Sequence, residues 1–264
     1  MTTLTSPAPA SSGYGFRHAT RMEWLKLRSL RSTPWALLLT VAGMVTIGVV
    51  TMANTKAPTP DKAAVFDPTN NVLAGVALGQ LLVGVLGVLI LTGEFASGSI
   101  RSTLTAIPNR RLLLSAKASV YGGVVLLVGE AVSLLTFFAG RAALGEEVPR
   151  PALGDPGVLR AVLMSGAYLG LIALMGLGIG AITRHTASAI AVLVGVTFVL
   201  PALIGGISGP AVAKYFPTMI AGNSLAVAKP VADMLSPWTG FAVLCLYTAV
   251  VLGVGARLLA RRDA

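Results

Sequence analysis

Six stretches of this chain are long and apolar enough to cross a bilayer as helix, and nothing else in the sequence constrains the fold so tightly. They run approximately Pro34–Ala53, Asn71–Thr92, Ala118–Ala139, Val158–Ile182, Ala187–Ile207 and Trp238–Ala256. A hydrocarbon core about 30 Å thick needs roughly 20 helical residues to span it. Lipid offers no hydrogen bonds, so each segment must pair its own backbone groups, which a helix does. Only 11% of the residues are charged, against roughly a quarter in a water-soluble domain. The predicted fold class is an all-α membrane protein with six transmembrane helices and no soluble catalytic domain of its own. Residues 1–15, rich in Ser, Thr, Pro and Ala, read as a disordered tail, and 16–264 as one transmembrane domain.

The net charge of +10 would suggest nucleic acid in a soluble protein. Here the bases lie between apolar stretches and form no separate basic domain, so membrane orientation and anionic lipid explain them and no nucleic-acid partner is expected. With the N-terminus inside, 13 of the 20 Lys and Arg fall on the cytoplasmic side, Arg17 to Arg31, Arg101 to Lys117, Arg184 and Arg257 to Arg262 among them. The expectation is a multi-pass cell-membrane protein with both termini cytoplasmic. The first apolar run follows a basic segment ending at Arg31 and has no small-residue cleavage site, so it reads as a retained helix rather than a signal peptide. The single Cys245 excludes an internal disulfide.

The connections carry the remaining information. Before the first span, Trp24, Leu27 and Leu30 recur at a spacing of three, with Lys26, Arg28 and Arg31 among them. That pattern predicts an interfacial helix with Trp in the headgroup layer and bases reaching phosphates. After the second span, Ser99 is placed to cap a short helix that Pro108 stops, and Asn109 to cap the helix leading into the third span. A short helix at the cytoplasmic surface, flanked by Arg101, Arg110, Arg111 and Lys117, suits the receipt of force from a soluble partner. Between the fifth and sixth spans, Ser208–Pro237 is apolar but broken by Pro210, Pro217, Pro230 and Pro237. Short interfacial or re-entrant helices buried against protein are expected there.

Signals of catalysis are missing from the sequence. It holds no G-x-x-x-x-G-K-[ST], so it binds no ATP through a P-loop. His18 and His185 both fall outside the spans, and no Asp, Glu, His or Cys cluster has metal-ligand spacing. An enzyme, a cofactor or a metal is therefore not expected in this chain. Glu130 is the one carboxylate well inside a span. Its cost in lipid, about 2.5–3.5 kcal/mol, requires that it face protein or water, either as a cavity or proton-relay residue or as a structural hydrogen-bonding group. Four Gly pairs at i, i+4 (Gly75/Gly79, Gly166/Gly170, Gly176/Gly180, Gly205/Gly209) match the 3–4 or so expected by chance among 30 glycines, so they are given no weight as helix contacts.

Three stretches, in this order, carry a resemblance: EWLKLRSLRS at Glu23–Ser32, GEFASGSIR at Gly93–Arg101, and LSPWTGF at Leu235–Phe241 leading to Arg261–Ala264. With the six spans, the chain resembles the permease subunit of an ABC-2 type ABC exporter, particularly the compact actinobacterial kind. The resemblance implies that the first stretch is a cytoplasmic connecting helix and the second a coupling helix docked on a separate ATPase. Short extracellular helices would precede the last span. It makes Glu94, Gly98, Ile100 and Arg101 the coupling candidates, with Ser99, Arg110 and Arg111 beside them. It further implies two permease copies, and a cytoplasmic ABC ATPase that holds the ATP and Mg. Few intramembrane charges fit an amphipathic or lipidic cargo. Two other classes stay open: a stand-alone secondary transporter or channel centred on Glu130, and a non-transport membrane scaffold or immunity partner.

Overall fold

The computed structural model describes residues 15–30, 32–59, 66–228 and 234–262, and every regular element among them is helical. The expected N-terminal tail lies outside the described residues but for Gly15, and so do Arg31 and Pro230. Helix α1 (Phe16–Ser29) ends at an extended Leu30, and α2 spans Ser32–Ala53. Pro34 sits in the first turn of α2, where a missing N–H costs no intrahelical bond. Asp67 caps α3 (Pro68–Val72) by accepting from the Asn70 N–H at 2.9 Å. A 3₁₀ turn at Leu73–Gly75 then joins α3 to α4 (Val76–Ala96) as one continuous span.

At the end of α4, Gly98 takes φ +72°, a left-handed conformation that glycine adopts without strain. This turn starts the short helix α5 (Ile100–Ala106). Ser99 occupies the N-cap position but does not cap with its side chain; its hydroxyl pairs instead with Ser97 Oγ at 2.9 Å. Its φ/ψ of −67°/−13° is already helical, whereas a capping side chain needs an extended residue to fold back onto the next turn. Asn109, which is extended, does cap α6 (Arg110–Ala143), accepting from the Leu112 N–H at 3.1 Å.

Helix α7 (Val158–Thr183) ends at Arg184, the one described non-glycine residue with positive φ. The fifth span is built from α8 (Thr186–Val194), a π-helical turn at Gly195–Val199 and α9 (Leu200–Ser208). Two short helices follow, α10 (Pro210–Ala213) and α11 (Pro217–Leu225), before α12 (Pro237–Arg261). The expectation of short helices in this apolar connection holds. In α11, Ile220, Asn223, Ser224 and Leu225 are buried against the bundle.

The six spans are Ser32–Ala53, Pro68–Ala96, Arg110–Ala143, Val158–Thr183, Thr186–Ser208 and Pro237–Arg261. Helix α7 is their hub. It is 78% buried over its most apolar stretch, whereas the fifth span is only 17% buried and the first and last 22%. The outer helices therefore turn long apolar rows toward lipid or a partner, while α7 packs between α4, α6 and α12. Those contacts are close because glycine carries no side chain. A Cβ on Gly176 would overlap the Gly84 carbonyl, and one on Gly87 would overlap the Ala173 carbonyl. Three of the four Gly pairs sit at such contacts, with Gly75 and Gly79 against Met44, Gly166 against the Glu130 backbone and Gly180 near the Val88 carbonyl. Gly205 and Gly209 meet open space or ordinary contact. A count near chance hid this, since facing is decided by tertiary packing and not by frequency.

Candidate functional site

The basic end of the bundle holds a network of four charges drawn from three helices, buried except for a partly exposed Lys26. Helix α1 turns Ala19, Glu23 and Leu27, one helical turn apart, toward the protein. Its Glu23 Oε2 lies 2.8 Å from Nζ of Lys117 on α6, and the same ammonium lies 2.6 Å from Oε1 of Glu94 at the end of α4. Lys26 Nζ, also on α1, lies 3.0 Å from that Glu94 oxygen and donates to Thr103 Oγ1 of α5 at 2.7 Å. Lys117 is almost wholly buried, with 1% of its side chain exposed, against 5% for Glu23 and 13% for Glu94. Buried charges are tolerable only when paired and hydrogen-bonded, and here two cations balance two anions.

Apolar packing fixes the same helices. Ile100 and Ile107, at the two ends of α5, are buried together with Ala19 of α1 and with Leu113 and Ala116 of α6. Helix α5 is thereby wedged between α1 and the start of α6, with Thr103 tied to Lys26. Gly98, Ser99 and Arg101 at its start are exposed, and so is Arg111 of α6. Arg110 turns away toward the chain terminus, where it donates to the carbonyls of Leu259 and Arg262. Arg184 lies 5.1 Å over the Phe95 ring and donates to the Arg262 carbonyl, while Arg262 donates to the Ile182 carbonyl at 3.0 Å. The end of α12 is thus held against the same surface.

The sequence-predicted residues divide accordingly. Glu94 and Lys26 belong to the network, Ile100 to the apolar wedge, and Gly98, Ser99, Arg101 and Arg111 to the exposed surface. The expected apolar stripe of α1 is split, because Leu27 is buried in the protein while Trp24 and Leu30 are about half exposed, with Leu25 more so. A helical turn is 3.6 residues, so a strict spacing of three drifts around the helix and cannot keep all three side chains on one face. Arg28 is exposed. Glu130 is not part of this site. It lies 13 residues beyond Lys117 on α6, about 20 Å along the axis, and its Oε2 has no hydrogen-bond partner.

Glu23 and Lys117 are network members that the sequence reading did not single out as site residues. Glu23 appears there only within a motif and Lys117 only as an orienting charge. The available signal was a carboxylate on the small, apolar i, i+4 row of α1. At the opposite end, Asp67 Oδ2 accepts from the N–H groups of Val227 (2.5 Å) and Ala228 (2.9 Å), and Arg160 donates to the carbonyls of Ser224 (2.6 Å) and Ala226 (2.7 Å). These bonds dock the connection after α11 onto α3 and α7.

Six apolar helices, one of them a glycine-packed hub, with short helices seated at both ends, make this a multi-pass membrane protein. Residues 19–202, which run from α1 into α9, match the family model of the ABC-2 family transporter proteins, and the chain belongs to that family. A comparison with curated proteins finds no match.

Proposed function

We propose that this chain is the permease subunit of an ATP-binding cassette exporter. It forms the translocation path with a second permease copy and is driven by a separate cytoplasmic ATPase that binds ATP and Mg. The observation that supports this reading best is the buried network. Because Lys26 holds both Thr103 of α5 and Glu94 of α4, and Lys117 joins Glu94 to Glu23, a displacement of α5 is shared at once by α1, α4 and α6. A short surface helix braced in this way passes a push from outside into the spans. Gly98, Ser99, Arg101 and Arg111 are the exposed groups an ATPase would meet.

The excess of Lys and Arg at this end supports a cytoplasmic position for it and for both termini, by the positive-inside rule. Helix α1 then rests in the headgroup layer with Trp24, Leu25 and Leu30 toward lipid, and Arg17, Arg21 and Arg28 toward phosphates.

The test is purification of the detergent-solubilised chain from its native membrane, followed by mass spectrometry of copurifying proteins. A stoichiometric P-loop ATPase is expected. Arg101→Glu with Arg111→Glu should lose it, together with stimulated ATP hydrolysis, whereas Arg141→Glu at the other end should not. Unchanged recovery in the double variant would reject α5 as the docking element. A chain that purifies alone, under conditions that preserve other membrane complexes, would reject the ATPase reading itself.

A further inference from the structure

Helix α1 has two faces of different chemistry. Ala19, Glu23 and Leu27 are buried against the protein. Arg17, Arg21, Trp24, Leu25 and Arg28 are all exposed, and at 3.6 residues per turn they fall within one arc of roughly 100° on the opposite side. No carboxylate shares that side, because the single acidic residue of α1 is Glu23, which is buried and held by Lys117. Among the described residues, none of the three arginines makes an ion pair. Three guanidinium groups on one face therefore look outward for their anions.

Two observations point to a lipid leaflet rather than a soluble acidic partner. Trp24 and Leu25, 46% and 59% exposed, stand between the arginines. Apolar side chains flanked by long cationic ones suit the headgroup layer, where the rings and branches reach the acyl boundary and the guanidinium groups reach phosphates. In addition, α1 ends at Ser29 and the first apolar span begins at Ser32, so the end of α1 stands at the level where α2 enters the bilayer.

The inner face of the same helix braces α5. Lys26 donates to Thr103 Oγ1 at 2.7 Å, and Ala19 packs with Ile100 and Ile107. Helix α5 has only seven residues, too few for an independent helix in water, so its order depends on what it packs against. A ligand that binds α1 in its docked position stabilises α5 with it, by mass action.

We propose that the outer face of α1 binds anionic phospholipid of the adjoining leaflet, and that this binding steadies α5. Each arginine near an anionic surface strengthens attachment roughly fivefold, so the three together supply about a hundredfold. A zwitterionic leaflet offers only the apolar share, from Trp24 and Leu25. The lipid contact itself needs no ATPase. Its consequence for transport rests on the function proposed above: the readiness of α5 to take up a push then depends on the charge of the leaflet.

The experiment is amide hydrogen exchange of the purified full chain in two kinds of nanodisc, one of phosphatidylcholine and one of an equal mixture of phosphatidylglycerol and phosphatidylcholine. Exchange over both Phe16–Ser29 and Ile100–Ala106 should slow about tenfold in the anionic discs. The triple variant Arg17→Gln/Arg21→Gln/Arg28→Gln should lose this response, since glutamine keeps the helix propensity and removes the charge. Arg17→Lys/Arg21→Lys/Arg28→Lys should retain most of it. Slowing of α1 without slowing of α5 would overturn the link between them. No slowing of either helix would overturn anionic lipid as the partner. An undiminished response in the glutamine variant would do so too, by showing a general effect of the charged leaflet on exchange. The purified chain carries no ATPase, so these outcomes are independent of the copurification test.

Discussion

Lys117 Nζ lies 2.6 Å from Glu94 Oε1, joining α6 to α4 across a gap that no solvent enters on the lysine side. The pair sits where both helices emerge from their apolar spans, and the same ammonium also holds Glu23 of α1. Removing one member of such a pair leaves an uncompensated buried charge, at a cost of about 3–5 kcal/mol. Lys117→Met should therefore lower thermal stability strongly in detergent, read by scanning fluorimetry. The double variant Lys117→Met/Glu94→Gln should recover most of the loss, because Lys26 can still pair with Glu23 at 3.6 Å. Additive losses in the double variant would show that the two residues do not act as a unit.

Gly176→Ala should cost about 1–3 kcal/mol, since its methyl group would overlap the Gly84 carbonyl and force α7 from α4. Gly206→Ala, where a Cβ meets nothing within 4 Å, should be neutral or slightly stabilising. Melting temperatures of the two variants in the same detergent decide the comparison.

The π-helical turn at Gly195–Val199 has a local cause. In an α-helix the Thr197 carbonyl would accept from the N–H of residue 201, but that residue is Pro201 and has none. Thr218 of α11 donates its hydroxyl to this carbonyl instead, tying that short helix to the fifth span. Thr218→Val should cost about 1 kcal/mol and raise amide exchange around Gly195–Leu203. Pro201→Ala restores the missing N–H, so the effect of Thr218→Val should shrink in that background. An undiminished effect would mean that the hydroxyl acts elsewhere.

Arg160 donates to two carbonyls of the α11–α12 connection, those of Ser224 and Ala226. Hydrogen bonds from a charged donor are worth about 1.5–3 kcal/mol each. Arg160→Ala should loosen this connection and speed its cleavage by protease added from that side. Arg160→Lys, which lacks the planar fork that reaches two acceptors, should give an intermediate rate. Cleavage at the unaltered rate in Arg160→Ala would count against the clamp.

Much of the site was visible as positions but not as partnerships. Glu94, Gly98, Ile100 and Arg101 stand together in the chain, so their nearness to a turn and a short helix could be read directly. That Ile100 faces inward while Arg101 faces out follows only once α1 and α6 are packed on either side. Glu23 and Lys117 are 94 residues apart in sequence, and no local pattern predicts that two such charges share an oxygen-lined pocket. The split of Trp24 from Leu27 on α1 has the same origin, since packing turned one residue into the protein and left the other on an exposed face.

By itself the sequence determined the six helical spans, because length and hydropathy are local quantities and lipid leaves the backbone no alternative to helix. It also determined the breaks at Pro108 and Pro217 and the cap at Asn109, which depend on residues one turn apart. Tertiary structure alone decided that α7 is the hub, which glycines permit backbone contact, and that four charges on three helices neutralise one another. Those are questions of which faces meet, and facing is set by the packing of helices far apart in the chain.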